Sequence, residues 1–129
     1  MGPVLRRRRF ESGTLARLHK EKILRIRAGT APHRFIGIWT VVVRGRVFVR
    51  SWSLKPRSWY RTLLEVPRGV IVVGARKIPV RATRTRSEVL KDAVDRAYLE
   101  KYNTPGSLKY ARDLGRAKSR ATTTELVPL

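Results

Sequence analysis

The stretch RSWSLKPRSWYR, residues 50 to 61, gathers groups that suit a phosphate. Arg50 and Ser51 stand near the end of an apolar strand, Lys55 and Arg57 follow, and Ser58 precedes a predicted helix with Trp59 in its first turn. Cationic side chains, hydroxyls and the free N–H groups of a helix start, brought to one place, form an anion socket. Each charge-assisted hydrogen bond of this kind contributes about 1.5 to 3 kcal/mol. The same residues have a purely structural reading. In it the Arg50 stem packs along the sheet, its guanidinium reaches a helix carboxylate, and Trp59 and Tyr60 belong to the core.

No other constellation offers catalysis from the protein itself. There is no glycine-rich phosphate loop after a strand, no Walker pattern, no nucleophile elbow and no His-Glu metal helix. The absence of cysteine removes disulfides, thiolate metal sites and a cysteine nucleophile. His19 and His33 stand apart, without carboxylates close in sequence. Glu88, Asp92, Asp95 and Glu100 share one predicted helix, where pairing with neighbours along that helix accounts for them.

Thirty Lys and Arg against nine Asp and Glu give a formal charge of +21. That excess makes a polyanion a candidate partner, with the run Arg6 to Arg9 as a sequence-independent grip on nucleic acid. Arginines such as Arg44, Arg46, Arg68, Arg76, Arg81, Arg84 and Arg86 are instead spread along the chain, as a compositional bias on a solvated surface would leave them. No apolar run is long enough for a secretory signal or a membrane span, so the expected compartment is the cytoplasm, with no membrane partner.

A scaffold must hold residues 50 to 61 in place. The length suits one domain, expected over residues 12–129, preceded by a disordered basic arm over residues 1–11. Ser12 is expected to cap a helix running to about Lys20, with Leu15 and Leu18 on one face. The alternation in KILRIRAG predicts a strand stopped by Gly29. GIWTVVVRGRVFVRSW predicts a hairpin turning at Arg44-Gly45, apolar on both faces and so buried on both. SWYRTLLEV follows as a short helix, then a second hairpin that turns near Ala75-Arg76, with Pro79 marking an edge or bulge. SEVLKDAVDRAYLEKY is a helix capped by Ser87 with Leu90, Val94, Ala97 and Tyr98 as its buried stripe. A short helix over 107–114 and a strand, SRATTTELVP, complete the order. This mixture predicts an α+β fold, a small barrel of about six strands with helices at the N-terminus, mid-chain and near the C-terminus.

The hairpin IWTVVVRGRVFVRSW, the SWYR segment and the tail DRAYLEKYNTPGSLKYARDLGRAKSRATTTELVP resemble a family of short uncharacterised bacterial proteins of the split β-barrel, FMN-binding-like class. KPRSWYRTLLEVPRGVIVVGARKIPVRA also resembles the deazaflavin-dependent nitroreductases, with Leu54 and Thr62 where those relatives have glycine and asparagine. The resemblance implies a split barrel that binds a phosphorylated cofactor, FMN or a deazaflavin, and acts as a small oxidoreductase. It implies contacts from Arg50, Ser51, Lys55, Arg57 and Ser58, with Trp59 as a wall, and His33, Tyr60 and Tyr98 near the ring or substrate. It also implies a homodimer with the cofactor between subunits. Hydride chemistry would then belong to the ring, which removes the need for a protein acid or base. The alternatives are a nucleic-acid-binding module and a cofactor-free structural shell.

Overall fold

Residues 24–28, LRIRA, alternate buried and more exposed positions as a half-buried strand must, because successive side chains point to opposite faces. The computed structural model in which they sit describes residues 8–129. Of the arm expected over residues 1–11, residues 1–7, with Arg6 and Arg7, lie outside the described residues. Phe10 is buried in the core.

The elements run in the order α1 (Ser12–Lys20), β1 (Leu24–Ala28), β2 (Ile36–Ile38), β3 (Thr40–Val43), β4 (Arg46–Val49), α2 (Trp59–Glu65), β5 (Arg68–Val73), β6 (Arg76–Arg84), α3 (Glu88–Lys101), α4 (Leu108–Asp113), α5 (Ala117–Arg120) and β7 (Thr124–Pro128). This is an α+β fold. All strand pairings are antiparallel, in the order β2-β1-β5-β6-β7-β4-β3.

The two ends of that order, β2 and β3, are one stretch of chain interrupted only at Trp39. Ile38 pairs with Leu24 of β1, and two residues later Thr40 pairs with Val49 of β4. A single strand that changes partners in mid-course draws both margins of the sheet together and nearly closes it into a barrel. The seven labelled strands therefore correspond to about six strands' worth of chain, as the sequence predicts.

Side chains from the inward positions, Ile26, Ile38, Val47, Val49, Ile71, Val80 and Leu126 among them, fill the barrel, joined by Leu18 of α1, Leu63 of α2 and Phe10. A second core lies outside the barrel wall. There Val41, Val43 and Phe48 meet Val94, Tyr98 and Tyr102 of α3, with Ala111 and Leu114. The hairpin of β3 and β4 is thus apolar on both faces because one face looks into the barrel and the other lies under a helix. Its turn has Arg44 at φ 54° and Gly45 at φ 71°, the left-handed pair of a type I′ turn whose twist matches the flanking strands.

Several local expectations shift. The N-cap of α1 is Glu11, without a side-chain cap, and Ser12 is already helical. The second hairpin turns at Gly74-Ala75, one residue early, because Gly74 takes the left-handed φ of 62°. β6 is an interior strand, and Pro79 lies where its ladder with β7 ends, its carbonyl accepting from the Leu129 N–H. The closing strand starts only at Thr124 because residues 117–120 form α5. The Thr122 and Thr123 hydroxyls donate back to the carbonyls of Ser119 and Arg120, the local bonding by which threonine competes with a ladder. No helix among the described residues is long and apolar enough to cross a membrane.

Candidate functional site

Arg50 follows β4 directly and turns inward. Its Nη1 donates to Asp95 Oδ1 at 2.5 Å and to the Leu114 carbonyl at 2.9 Å. Nε donates to Thr123 Oγ1 at 2.8 Å and Nη2 to the Lys91 carbonyl at 3.0 Å. Four of the five guanidinium N–H groups are thereby engaged by α3 and the C-terminal segments, and the side chain is 0 % exposed. A group so placed holds the fold together and is out of reach of a surface phosphate. This matches the structural reading of Arg50 that the sequence left open.

Three carboxylates of α3, Glu88, Asp92 and Asp95, are drawn into the same arrangement across elements, and Glu88 also pairs along the helix with Lys91 at 3.7 Å. Arg120 of α5 reaches Asp95 at 2.7 Å, Asp92 at 2.9 Å and Glu88 at 2.5 Å, while Asp95 bridges Arg120 and Arg50. The Arg120 hydrogen bond, followed by the charge of Lys91, holds the Glu88 carboxyl below the usual range. In a separate pair, Arg46 makes a forked contact with the buried Glu125 at 2.7 and 3.1 Å.

The loop after Arg50 is laced by serines. The Ser51 N–H donates to Thr122 Oγ1 at 2.8 Å, and its hydroxyl donates to the Ser53 carbonyl at 2.7 Å while accepting from the Ser53 N–H at 3.1 Å. Ser53 Oγ then accepts from the Lys55 N–H at 3.2 Å. Ser58 caps α2, its oxygen taking the Arg61 N–H at 3.3 Å. Trp59 is partly buried against the barrel core and meets Tyr60 edge-on at 6.3 Å.

Beside this loop lies an open hollow of about 480 Å3 lined by Trp52, Ser53, Leu54, Lys55 and Lys118. Its size is within the range of small-molecule sites. An aromatic series leads to it from the second core. Tyr102 stacks on Trp39 at 3.9 Å, Trp39 meets the edge of Trp52 at 5.2 Å, and Trp52 meets Tyr110 at 6.4 Å. Trp52 and Tyr110 remain exposed. The hollow thus offers an indole surface, an aliphatic side chain, a serine and two ammonium groups.

Of the six residues singled out in the sequence, Lys55 alone lines this hollow. Arg50 and Ser51 are buried behind it, Arg57 is exposed in the loop, and Ser58 and Trp59 belong to the start of α2. Sequence reasoning missed Trp52, Ser53, Leu54 and Lys118. The first three stand within the segment it singled out. Lys118 comes from α5, whose second half, Ser119 and Arg120, was expected to open the closing strand. His33 is exposed, Tyr60 is buried, and Tyr98 is buried with its hydroxyl donating to the Trp39 carbonyl at 3.3 Å. Burial raises the Tyr98 phenol far above its ordinary value.

A second opening, about 460 Å3, lies between α1, β3 and α3, with His19, Lys22, Glu100, Lys101 and Asn103 among its lining residues. Lys101 Nζ donates to the carbonyls of Leu18 and Thr40, each at 2.8 Å. Burial, reinforced by the nearby Lys22, lowers this amine to about 8. Tyr102 donates to the Lys22 carbonyl at 2.6 Å, and burial pushes its phenol up to about 12.

The model of a family described as "Uncharacterized protein conserved in bacteria (DUF2255)" matches residues 14–126. No curated protein matches the chain. Among solved structures, a Listeria innocua protein described as a "Putative Pyridoxamine 5'-phosphate oxidase" is similar over 91% of this chain and 90% of its own, with a TM-score of 0.56 and 10% identity. At that identity the likeness is one of fold.

Proposed function

We propose, for a chain that belongs to the bacterial family DUF2255, that the hollow beside the Ser51–Ser58 loop binds a phosphorylated flavin or deazaflavin and that the protein is a small oxidoreductase. The observation that carries this reading is the pairing of an exposed Trp52 face with Lys55 and Lys118 at one opening. A fused aromatic ring and a phosphate need those two surfaces together. The fold likeness to a protein described as an oxidase of a phosphorylated substrate supports it.

The residues present fit such a group. Lys55, Lys118 and Ser53 would take the phosphate, and Trp52 and Leu54 would bear on the ring. Leu54 supplies apolar surface where the resembling nitroreductases have glycine. A bound flavin or deazaflavin supplies hydride transfer, and the chain supplies position and charge. The hollow is open on one side, which a second subunit would cover in a homodimer.

The test is the visible absorption of the purified protein, alone and during titration with FMN and with a deazaflavin cofactor. Retained or saturable absorbance, weakened in Lys55→Ala/Lys118→Ala and in Trp52→Leu, is expected. A protein that neither carries nor takes up either cofactor overturns the reading and leaves the barrel as a cofactor-free shell.

A further inference from the structure

Charge is unevenly placed on the barrel wall. β1, β2, β5 and β6 carry no carboxylate, and their register sets five cations on one outward face. Arg25 lies opposite Val72, which lies opposite Lys77, and Arg27 lies opposite Val70. Arg68 lies directly opposite Arg81. Phe35, just before β2, continues the row beside Arg27, with Arg27, Arg25 and Lys77 at 5.0, 5.5 and 5.7 Å from its ring centroid. The outer face of β3 and β4 lies under α3. Here, by contrast, Arg25, Arg68, Lys77 and Arg81 are exposed.

Like charges directly opposite on an antiparallel pair are destabilising. Among the described residues none of the five cations makes an ion pair. An anionic chain laid across the face offsets that repulsion. A second copy does not, because a two-fold contact would set the same cations against one another. Cations two residues apart on a strand are separated by about 6.7 Å and neighbouring strands by about 4.8 Å, a grid that an extended sugar–phosphate chain can follow. The aromatic ring among them selects a strand with unpaired bases over a duplex, whose bases are already stacked.

We propose that the outer face of β1, β2, β5 and β6 binds single-stranded nucleic acid, with phosphates on Arg25, Arg27, Arg68, Lys77 and Arg81 and a base against Phe35. The face uses different strands from the Trp52 hollow, so it stands independently of flavin binding. It also differs from a grip by the Arg6 to Arg9 arm.

The test is fluorescence anisotropy of the full-length protein with a labelled oligothymidylate across a salt series, beside a duplex of equal length and heparin as a polyanion without bases. Binding of the oligothymidylate is expected, its log affinity falling with log salt by about 0.7 per neutralised phosphate. Phe35→Ala weakens it at least about fivefold and leaves heparin binding unchanged. Arg68→Ala/Arg81→Ala weakens both, whereas Lys109→Ala/Arg112→Ala on α4 changes neither. Circular dichroism confirms that these exposed substitutions leave the fold intact. Three results overturn the proposal: no binding of the oligothymidylate, a duplex bound as tightly, or an Arg68/Arg81 variant that binds like the parent. So does loss of all binding on removal of residues 1–7, which moves the grip to the arm. A dimer that the charge variants dissociate also overturns it, making the face a contact between copies.

Discussion

Arg50 and Asp95 meet at 2.5 Å, joining the residue after β4 to the middle of α3, with the arginine fully buried and the aspartate 29 % exposed. The two ends of this pair are therefore unequal. Removing the arginine leaves Asp95 in contact with water and Arg120, whereas removing the aspartate leaves a buried cation with only neutral acceptors.

Asp95→Ala is expected to cost about 3 kcal/mol, the lower end for breaking a buried pair, because three other hydrogen bonds to Arg50 survive. Urea unfolding checks this, with the midpoint falling and the slope unchanged.

Glu88 gives the acid limb of stability a handle. Its carboxyl titrates below the ordinary value because Arg120 and Lys91 favour the anion. A group depressed in the folded state stabilises above its unfolded pKa, and that contribution disappears as pH falls through the folded value. Thermal melts of the parent and Glu88→Gln are expected to differ near neutrality and to converge as pH drops below the ordinary glutamate range. Curves that stay parallel throughout would discard the assignment.

Lys101 acts in the opposite pH range. Its amine titrates near about 8 in the folded protein, against about 10.4 in an unfolded chain. Between those values the unfolded state binds more protons, so stability rises as pH rises through the window. Lys101→Met is expected to flatten this rise, read from denaturant midpoints in a neutral-to-alkaline series.

The hairpin turn offers a stabilising change. Arg44 adopts a left-handed φ of 54° that a long side chain tolerates poorly. Arg44→Asn, giving the Asn-Gly pair that type I′ turns favour, is expected to add about 0.5 to 1 kcal/mol. Calorimetry of the two proteins measures it.

Much of the scaffold was legible because its signals are local. Ser87 caps α3 by accepting from the Leu90 N–H at 3.2 Å, and Val94 and Tyr98 are buried at the helical spacing the sequence shows. Arg44-Gly45 fixes its hairpin through two residues alone. Barrel closure depends instead on Trp39, where the strand changes partner, and nothing in the alternation of GIWTVVV marks that point. The candidate site was half legible for the same reason. Loop charge at Lys55 shows in the sequence, while the inward turn of Arg50 depends on Asp95, Leu114 and Thr123, each more than forty positions away. Lys118 joins the hollow through α5, whose boundary follows from the hydroxyl bonds of Thr122 and Thr123.

Strand β7 lies between β4 and β6, yet it follows every other element in chain order. During synthesis on the ribosome, β4 and β6 each emerge with one margin lacking its neighbour and must wait for residues 124–128. The nascent chain therefore passes through a stage with two open strand margins, the kind of surface that recruits a chaperone or joins two growing chains by exchange. Insertion of β7 ends that stage, because its two ladders cover both margins at once.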